Sequence, residues 1–418
     1  MQNKTIKVSL LDILIYLSLT FLCMQFFVSN SVKIGFCVFF DSLGIKHILM
    51  ITTVIVGLFS DLKHGKLKIV KFSYEIKMAL FAVISILVIS FGYMAFNGFA
   101  DYWISQVYFL ILPLLFAYTI FKNDYSVKRF KSIVRYLLIV TSILYSVFIF
   151  DTIFFKDMEL TFSFMKSTSP FESETAHFYL LIYIFYTFIE DKRGRLVSAF
   201  FCIMAWKRIS LICLILITIA GFMKLRNKRV KIGYIIAIAV IFSIYPLINE
   251  YMMSAEFGRW FSNVTGMTFV DFSNFRYYAL KATIDGGMKS HGLGTFFSVR
   301  VPWYGSYVNV SLHNDIMRLY LEVSIVGLFL FLLFTGAIAR RRFSMFVILY
   351  LFLEMTGNHL IGNGGIPYWL LGYSLIFFFN MYDRDGLGNV YRVEEYSGGN
   401  KRLKRHISIK NGKISFRK

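Results

Sequence analysis

Residues Ser311–Phe334 read SLHNDIMRLYLEVSIVGLFLFLLF, and within that stretch a polar segment turns into an apolar run. The run from Ile316 is long enough to matter: a bilayer core of about 30 Å takes roughly 20 apolar residues in helical form. The segment before it, Asn249 to Asp315, is the only polar stretch between apolar runs long enough to carry a site. His313 therefore stands where an apolar helix meets water, followed directly by Asn314 and Asp315. An imidazole changes charge near neutral pH. At this boundary it is placed for chemistry at an interface.

Working outward, the whole chain shares the character of that run. Its 418 residues are 57% hydrophobic and 19% aromatic, with mean hydropathy +0.62. Only 17% are charged, against about 25% in ordinary soluble domains. Forty-seven Phe and 26 Tyr against five Pro suit many apolar helices with aromatic-lined ends. The first apolar run follows Met1–Ser9 without a small-residue cleavage site, so it reads as a retained helix. These features exclude a soluble globular enzyme. They predict an all-α, polytopic integral membrane protein with about twelve transmembrane helices and one large outer loop.

The expected spans are Leu11–Val28, Leu43–Ser60, Ile76–Phe96, Trp103–Phe121, Ile133–Phe155, Ala176–Ile189, the short pair Leu196–Trp206 and Ile209–Met223, then Ile232–Ile248, Ile316–Ile338, Ser344–Met355 and Tyr368–Met381. A cytoplasmic N-terminus puts most of the 45 Lys and Arg on the inner side, as the positive-inside rule requires. Both termini are then cytoplasmic, and the long loop lies on the opposite side. The organisation is helices over 1–248, the large outer loop over 249–315, helices over 316–382 and a basic cytoplasmic tail over 383–418. The net charge of +21 falls in short clusters between apolar runs, which speaks for topology and against nucleic acid. Cys23, Cys37, Cys202 and Cys213 show no CxxC and no metal-ligand spacing, so they read as small core residues.

Several residues break the local pattern. Lys207 and Arg208 lie between two apolar runs, on the side where positive charge is disfavoured. They are either an interfacial anchor or a broken-helix junction that presents Arg208 to an anion. Arg276 opens a short helical stretch in the loop, where it either pairs with Asp271 or serves a site. Gly292 and Gly294 follow, and glycines permit tight turns or close approach of backbone to ligand. Glu322 is a carboxylate inside the apolar run after His313, and an intramembrane carboxylate is functional or paired by default. His177, behind Glu172 and Glu174, is a second candidate histidine; His359 and His291 are weaker ones.

Together these residues resemble the O-antigen polymerase and O-antigen ligase superfamily of polytopic membrane enzymes. His313-Asn314, Glu322 and Gly327 look like the family's His-Asn, Glu and Gly entering a late span. Arg276 with Gly292-x-Gly294 resembles its long-loop arginine and glycine turn, and Arg208 before Ser210 resembles its other arginine. The chain departs from the pattern at Ser324, where a glycine is common, and at Lys207, where a serine is expected.

The resemblance implies a glycosyltransferase acting on an undecaprenyl-diphosphate-linked glycan, with no cofactor or metal. Guanidiniums grip phosphate oxygens bidentately, so Arg208 and Arg276 are expected to steady the leaving diphosphate, and His313 to act as base or orienting group. Lys207, Asn314, Glu322, Gly292, Gly294 and His177 are expected to contact substrate. A single displacement would invert the anomeric carbon. The favoured activity is polymerase, moving a chain onto a lipid-linked repeat unit. The alternatives are a ligase acting on lipid A core, and a lipid-linked oligosaccharide flippase. Membrane lipids, a chain-length regulator and a flippase are the expected partners.

Overall fold

The computed structural model describes residues 9–25, 44–62, 73–122, 127–155, 163, 169–223, 227–273, 276–303, 306–382, 406–410 and 413–417. The described residues are mostly helical, at 78%. Each apolar run read from the sequence coincides with a helix. The first half holds α1 (Leu10–Gln25), α2 (Ile45–Leu62), α3 (Ser73–Asn97), α4 (Trp103–Lys122), α5 (Val127–Phe155) and α6 (Thr175–Phe188). Then come α7 (Lys192–Met204), α8 (Arg208–Phe222) and α9 (Ile232–Met252). After the polar loop follow α13 (Asp315–Ala337), α14 (Arg342–Met355) and α15 (Ile366–Met381). Among the described residues, five helices are long and apolar enough to cross a membrane: α3, α4, α5, α9 and α13. Five shorter apolar helices, α1, α2, α6, α8 and α15, accompany them.

The centre is α6, buried along its whole length, as expected of a helix that is apolar on every side. It packs against α5, α7, α8, α14 and α15. Lipid tails are as apolar as leucine, so burial alone gives these helices little reason to associate, and packing must supply it. Phenylalanines supply much of that packing here. Phe130 stacks on Phe378 at 4.9 Å, and Phe188 meets Phe379 at 4.8 Å.

The polar loop is itself folded. It contains α10 (Ala255–Thr265), α11 (Phe269–Phe272) and α12 (Arg276–Asp285), then strands β1 (Val299–Trp303) and β2 (Ser306–Val310). Ser254 and Thr268 start the first two helices by accepting the backbone N–H of Phe257 and Asp271, as N-cap residues do. Leu280, Phe296, Val299, Val301 and Leu312 gather into a small core of the loop's own, with Met253 and Met317.

Two hairpins depart from the all-α expectation. In the loop, β1 pairs antiparallel with β2, Val299 opposite Val310 and Val301 opposite Val308; β-branched pairs across strands favour this geometry. In the basic tail, β3 (His406–Lys410) pairs with β4 (Lys413–Arg417). The residues between them are Asn411-Gly412, a dipeptide favoured in two-residue hairpin loops. The remainder of the tail lies outside the described residues.

Helix α13 is broken in the middle. Val323 leaves helical geometry, and Ser324 has φ +64° and ψ 173°, a region populated essentially by glycine. The break comes directly after Glu322, in the span that packs against α3 and α9.

Candidate functional site

A cavity of about 360 Å³ opens where the loop meets the helices, within the usual range for small-molecule sites. Its wall includes Arg208 from the start of α8, Arg276 and Tyr277 from α12, and His313 and Asn314 from the entry to α13. Glu172, His177, Lys207, Tyr245, Phe272 and the segment Thr356–Asn358 complete much of the rest. Residues more than a hundred positions apart thus share one concave surface.

The two arginines are aimed by backbone. Arg208 donates from Nη2 to the Phe272 carbonyl at 2.8 Å, and its guanidinium lies 4.3 Å over the Phe272 ring. Arg276 donates from Nη1 to the carbonyl of Gly357. Lys207 behaves differently: its ammonium lies 2.7 Å from Glu172 and 2.8 Å from Glu174. Burial works against that charge, but Glu174 and Glu172 outweigh it and raise the lysine's pKa. Lys207 is therefore held as part of an ion cluster, with its charge already balanced by two carboxylates.

His313 is exposed to the cavity. The surrounding protein and the Arg276 guanidinium nevertheless push its pKa down to about 4, with His359 adding to the effect. Its imidazole is thus neutral at pH 7 and available to accept a proton. His359 lies 6.4 Å away ring to ring and is held at about 3 by burial and Arg318. Asn314 caps α13, accepting from the Met317 N–H at 3.0 Å and donating to the Tyr245 hydroxyl at 3.2 Å.

His177, almost fully buried at the cavity wall, is the centre of a polar cluster. Its Nδ1 lies 2.8 Å from Glu354 and 2.8 Å from the Ser210 hydroxyl, and its Nε2 lies 3.2 Å from Glu174. Asn358 donates to Glu354 at 2.6 Å and reaches His177 at 3.2 Å. A carboxylate buried in an apolar helix is tolerated when it is paired in this way.

Three sequence candidates lie outside the cavity. Glu322 is fully buried and accepts the Phe296 N–H at 2.9 Å, while its backbone carbonyl takes the Ser290 hydroxyl at 2.8 Å. Gly292 and Gly294 have φ of +86° and +94°, and each lies against helix backbone. A Cβ on Gly292 would meet the Ser90 carbonyl at 2.7 Å, and one on Gly294 would meet the Trp103 nitrogen at 2.8 Å. These residues seat the loop on α3, α4 and α13, and line no part of the cavity.

Sequence reading passed over Arg318, Asp315 and Glu354. Arg318 and Asp315 are both fully buried and lie 3.1 Å apart. Arg318 also reaches His359 and the Ile361 carbonyl, each at 2.9 Å. The signal was present: Arg318 is a cation inside an apolar run, one turn from an acid, and Glu354 is the sole charge in Ser344–Met355. Among the described residues, no group of three or more His, Cys, Asp or Glu could hold a metal ion.

Fold and cavity together define a mostly helical membrane protein with a cationic cavity under a folded polar loop. No family model, no curated protein and no solved structure matches the chain.

Proposed function

We propose that this chain is a membrane glycosyltransferase, an O-antigen polymerase that uses an undecaprenyl-diphosphate-linked glycan as donor and a lipid-linked repeat unit as acceptor. The observation that carries the reading is the placement of Arg208 and Arg276 on one cavity wall with His313, while Lys207 is balanced by Glu172 and Glu174. Two guanidiniums oriented by the Phe272 and Gly357 carbonyls stand together at the cavity wall, where an anion can bridge them. A departing lipid diphosphate gathers negative charge in the transition state, and preorganised donors there lower the barrier. The neutral imidazole of His313 can take the proton of the acceptor hydroxyl as the new glycosidic bond forms. In this reading the chain has twelve spans in the bacterial inner membrane, the loop faces the periplasm, and both termini are cytoplasmic.

The test is reconstitution. The purified chain in vesicles, given a lipid-diphosphate-linked repeat unit, is expected to produce a ladder of longer lipid-linked glycans. Arg208→Ala with Arg276→Ala should abolish the ladder. Vesicles that only move the unit across the bilayer, without lengthening it, would replace this reading with a flippase.

A further inference from the structure

A second concavity lies between α2 and α4. It holds about 400 Å³, and its wall includes Ile51 and Val54 of α2 with Trp103, Val107, Ile111 and Leu115 of α4. Every residue of the wall is apolar or aromatic. From Trp103 to Leu115 the helix advances roughly 18 Å at 1.5 Å per residue. One leaflet of a bilayer core is about 15 Å deep, so the groove matches the depth of a single leaflet. Trp103 stands at one end, and between one and two turns further along α4 the Tyr108 hydroxyl meets His47 Nδ1 at 2.7 Å. Tryptophan and tyrosine gather at membrane interfaces, so the groove starts at the interface and runs inward.

The same end adjoins the loop that roofs the cationic cavity. Gly294 lies on the backbone of Tyr102 and Trp103. From there three ring contacts lead to the cavity: Tyr102 to Phe297 at 5.0 Å, Phe297 to His359 at 5.0 Å, and His359 to His313 at 6.4 Å. The mouth of the groove and the candidate base are on one side of the protein, a few ring widths apart.

We propose that this groove seats the hydrocarbon chain of the acceptor, a polyprenyl-linked glycan, while the donor's diphosphate occupies the Arg208–Arg276 cavity. The proposal rests on the polymerase reading, in which two lipid-linked glycans are bound at once and one diphosphate faces the arginines. A long chain without polar atoms suits a wall of aliphatic and aromatic side chains whose Tyr108 hydroxyl is already engaged by His47. A head group leaving the groove beside Trp103 starts its glycan on the side where His313 waits. Because the competing solvent is itself hydrocarbon, apolarity alone cannot select the chain. Selection must come from shape, and filling the groove should remove it.

The experiment photolyses the chain in phosphatidylethanolamine and phosphatidylglycerol nanodiscs with a benzophenone-tagged polyprenyl phosphate, then maps the labelled peptides. Label is expected on α2 and α4, competed by untagged polyprenyl phosphate and not by added phospholipid. Val107→Trp should cut that label about tenfold, a change of about 1.4 kcal/mol in affinity. Ile104→Trp, at a groove position 67% exposed and therefore tolerant of bulk, should do the same if the first variant folds poorly. Val147→Trp on α5, outside the groove, should change nothing. Equal competition by phospholipid, or label unaffected by both groove variants, would overturn the assignment. Labelling requires no transfer, so the two readings fail separately. Groove label without polymer removes the polymerase reading, and a normal ladder from Val107→Trp removes the groove.

Discussion

The Asp315 carboxylate accepts the backbone N–H of Leu360 at 2.5 Å, and the same oxygen takes that of Ile361 at 2.6 Å. Arg318 closes the arrangement from the other side through His359 and the Ile361 carbonyl. The segment so fixed supplies the carbonyls of Thr356 and Gly357, which hold Tyr245 and Arg276. Arg276 is thus aimed by a carboxylate that it does not touch. Asp315→Ala would leave Arg318 buried without its partner, which costs about 3–5 kcal/mol. We expect a marked fall in the unfolding midpoint of the purified protein. An unchanged midpoint would show that the pair does not brace the segment.

Arg276→Lys tests whether geometry or mere charge matters. An ammonium is a point charge and cannot grip two phosphate oxygens as a planar guanidinium does. The variant should insert normally and lose most polymer. Because the Gly357 carbonyl is the anchor, a lysine could still satisfy it, so folding and activity should separate. Near-normal polymer would reduce Arg276 to a generic cation.

His313 makes the site sensitive to acid in a defined direction. Its pKa stands at about 4 in the folded chain, against about 6.5 for a free imidazole. Between those values the unfolded chain binds a proton that the folded chain refuses, so this group lowers stability as pH falls through that window. Catalysis should follow the same group. The profile of kcat/KM, which reports the free enzyme, should bend near pH 4 for this residue. A bound anion beside Arg276 weakens the repulsion that keeps the imidazole neutral, so kcat should bend at a higher pH. Two profiles bending together near 6.5 would mean that His313 is not the titrating group.

The helices were legible because hydrophobic runs of membrane length leave little alternative, and their observed ends fall within a few residues of the runs. The junction at Lys207-Arg208 was also legible, since two adjacent cations between short apolar runs have few structural excuses. What could not be read was which polar residues face the cavity. Glu322 and Glu354 look alike in sequence, each a lone acid in an apolar run. One pins the loop through the Phe296 N–H, and the other pairs with His177 of the cavity wall. That difference is set by contacts between segments distant in sequence, which no local spacing encodes. The two roles open to the glycines could not be separated for the same reason: Gly292 and Gly294 pack on Ser90 and Trp103 of other helices.

Ser324 offers a stability test independent of function. A side chain at φ +64° and ψ 173° costs on the order of 1–3 kcal/mol relative to residues in ordinary regions. Glycine carries no such penalty at this geometry. Ser324→Gly should raise the unfolding midpoint, less the small entropy that glycine returns to the unfolded chain. A lower midpoint would mean that the serine side chain stabilises the break in α13 by more than the backbone strain it introduces.

His313→Ala separates catalysis from scaffolding and polymerase from ligase in one measurement. Loss of a general base slows a reaction by about 10²–10⁴-fold, enough to reduce a long ladder of glycans to its shortest member. The protein should still fold, because His313 is exposed in the cavity and its ring contributes little packing. In a cell that depends on this chain, a polymerase defect leaves single repeat units attached to lipid A core. A ligase defect leaves the core bare and lets lipid-linked polymer accumulate. The banding of extracted lipopolysaccharide therefore distinguishes the two. We expect the single-repeat pattern. A full-length ladder from the variant would remove His313 from both mechanisms and leave the two arginines to act without it.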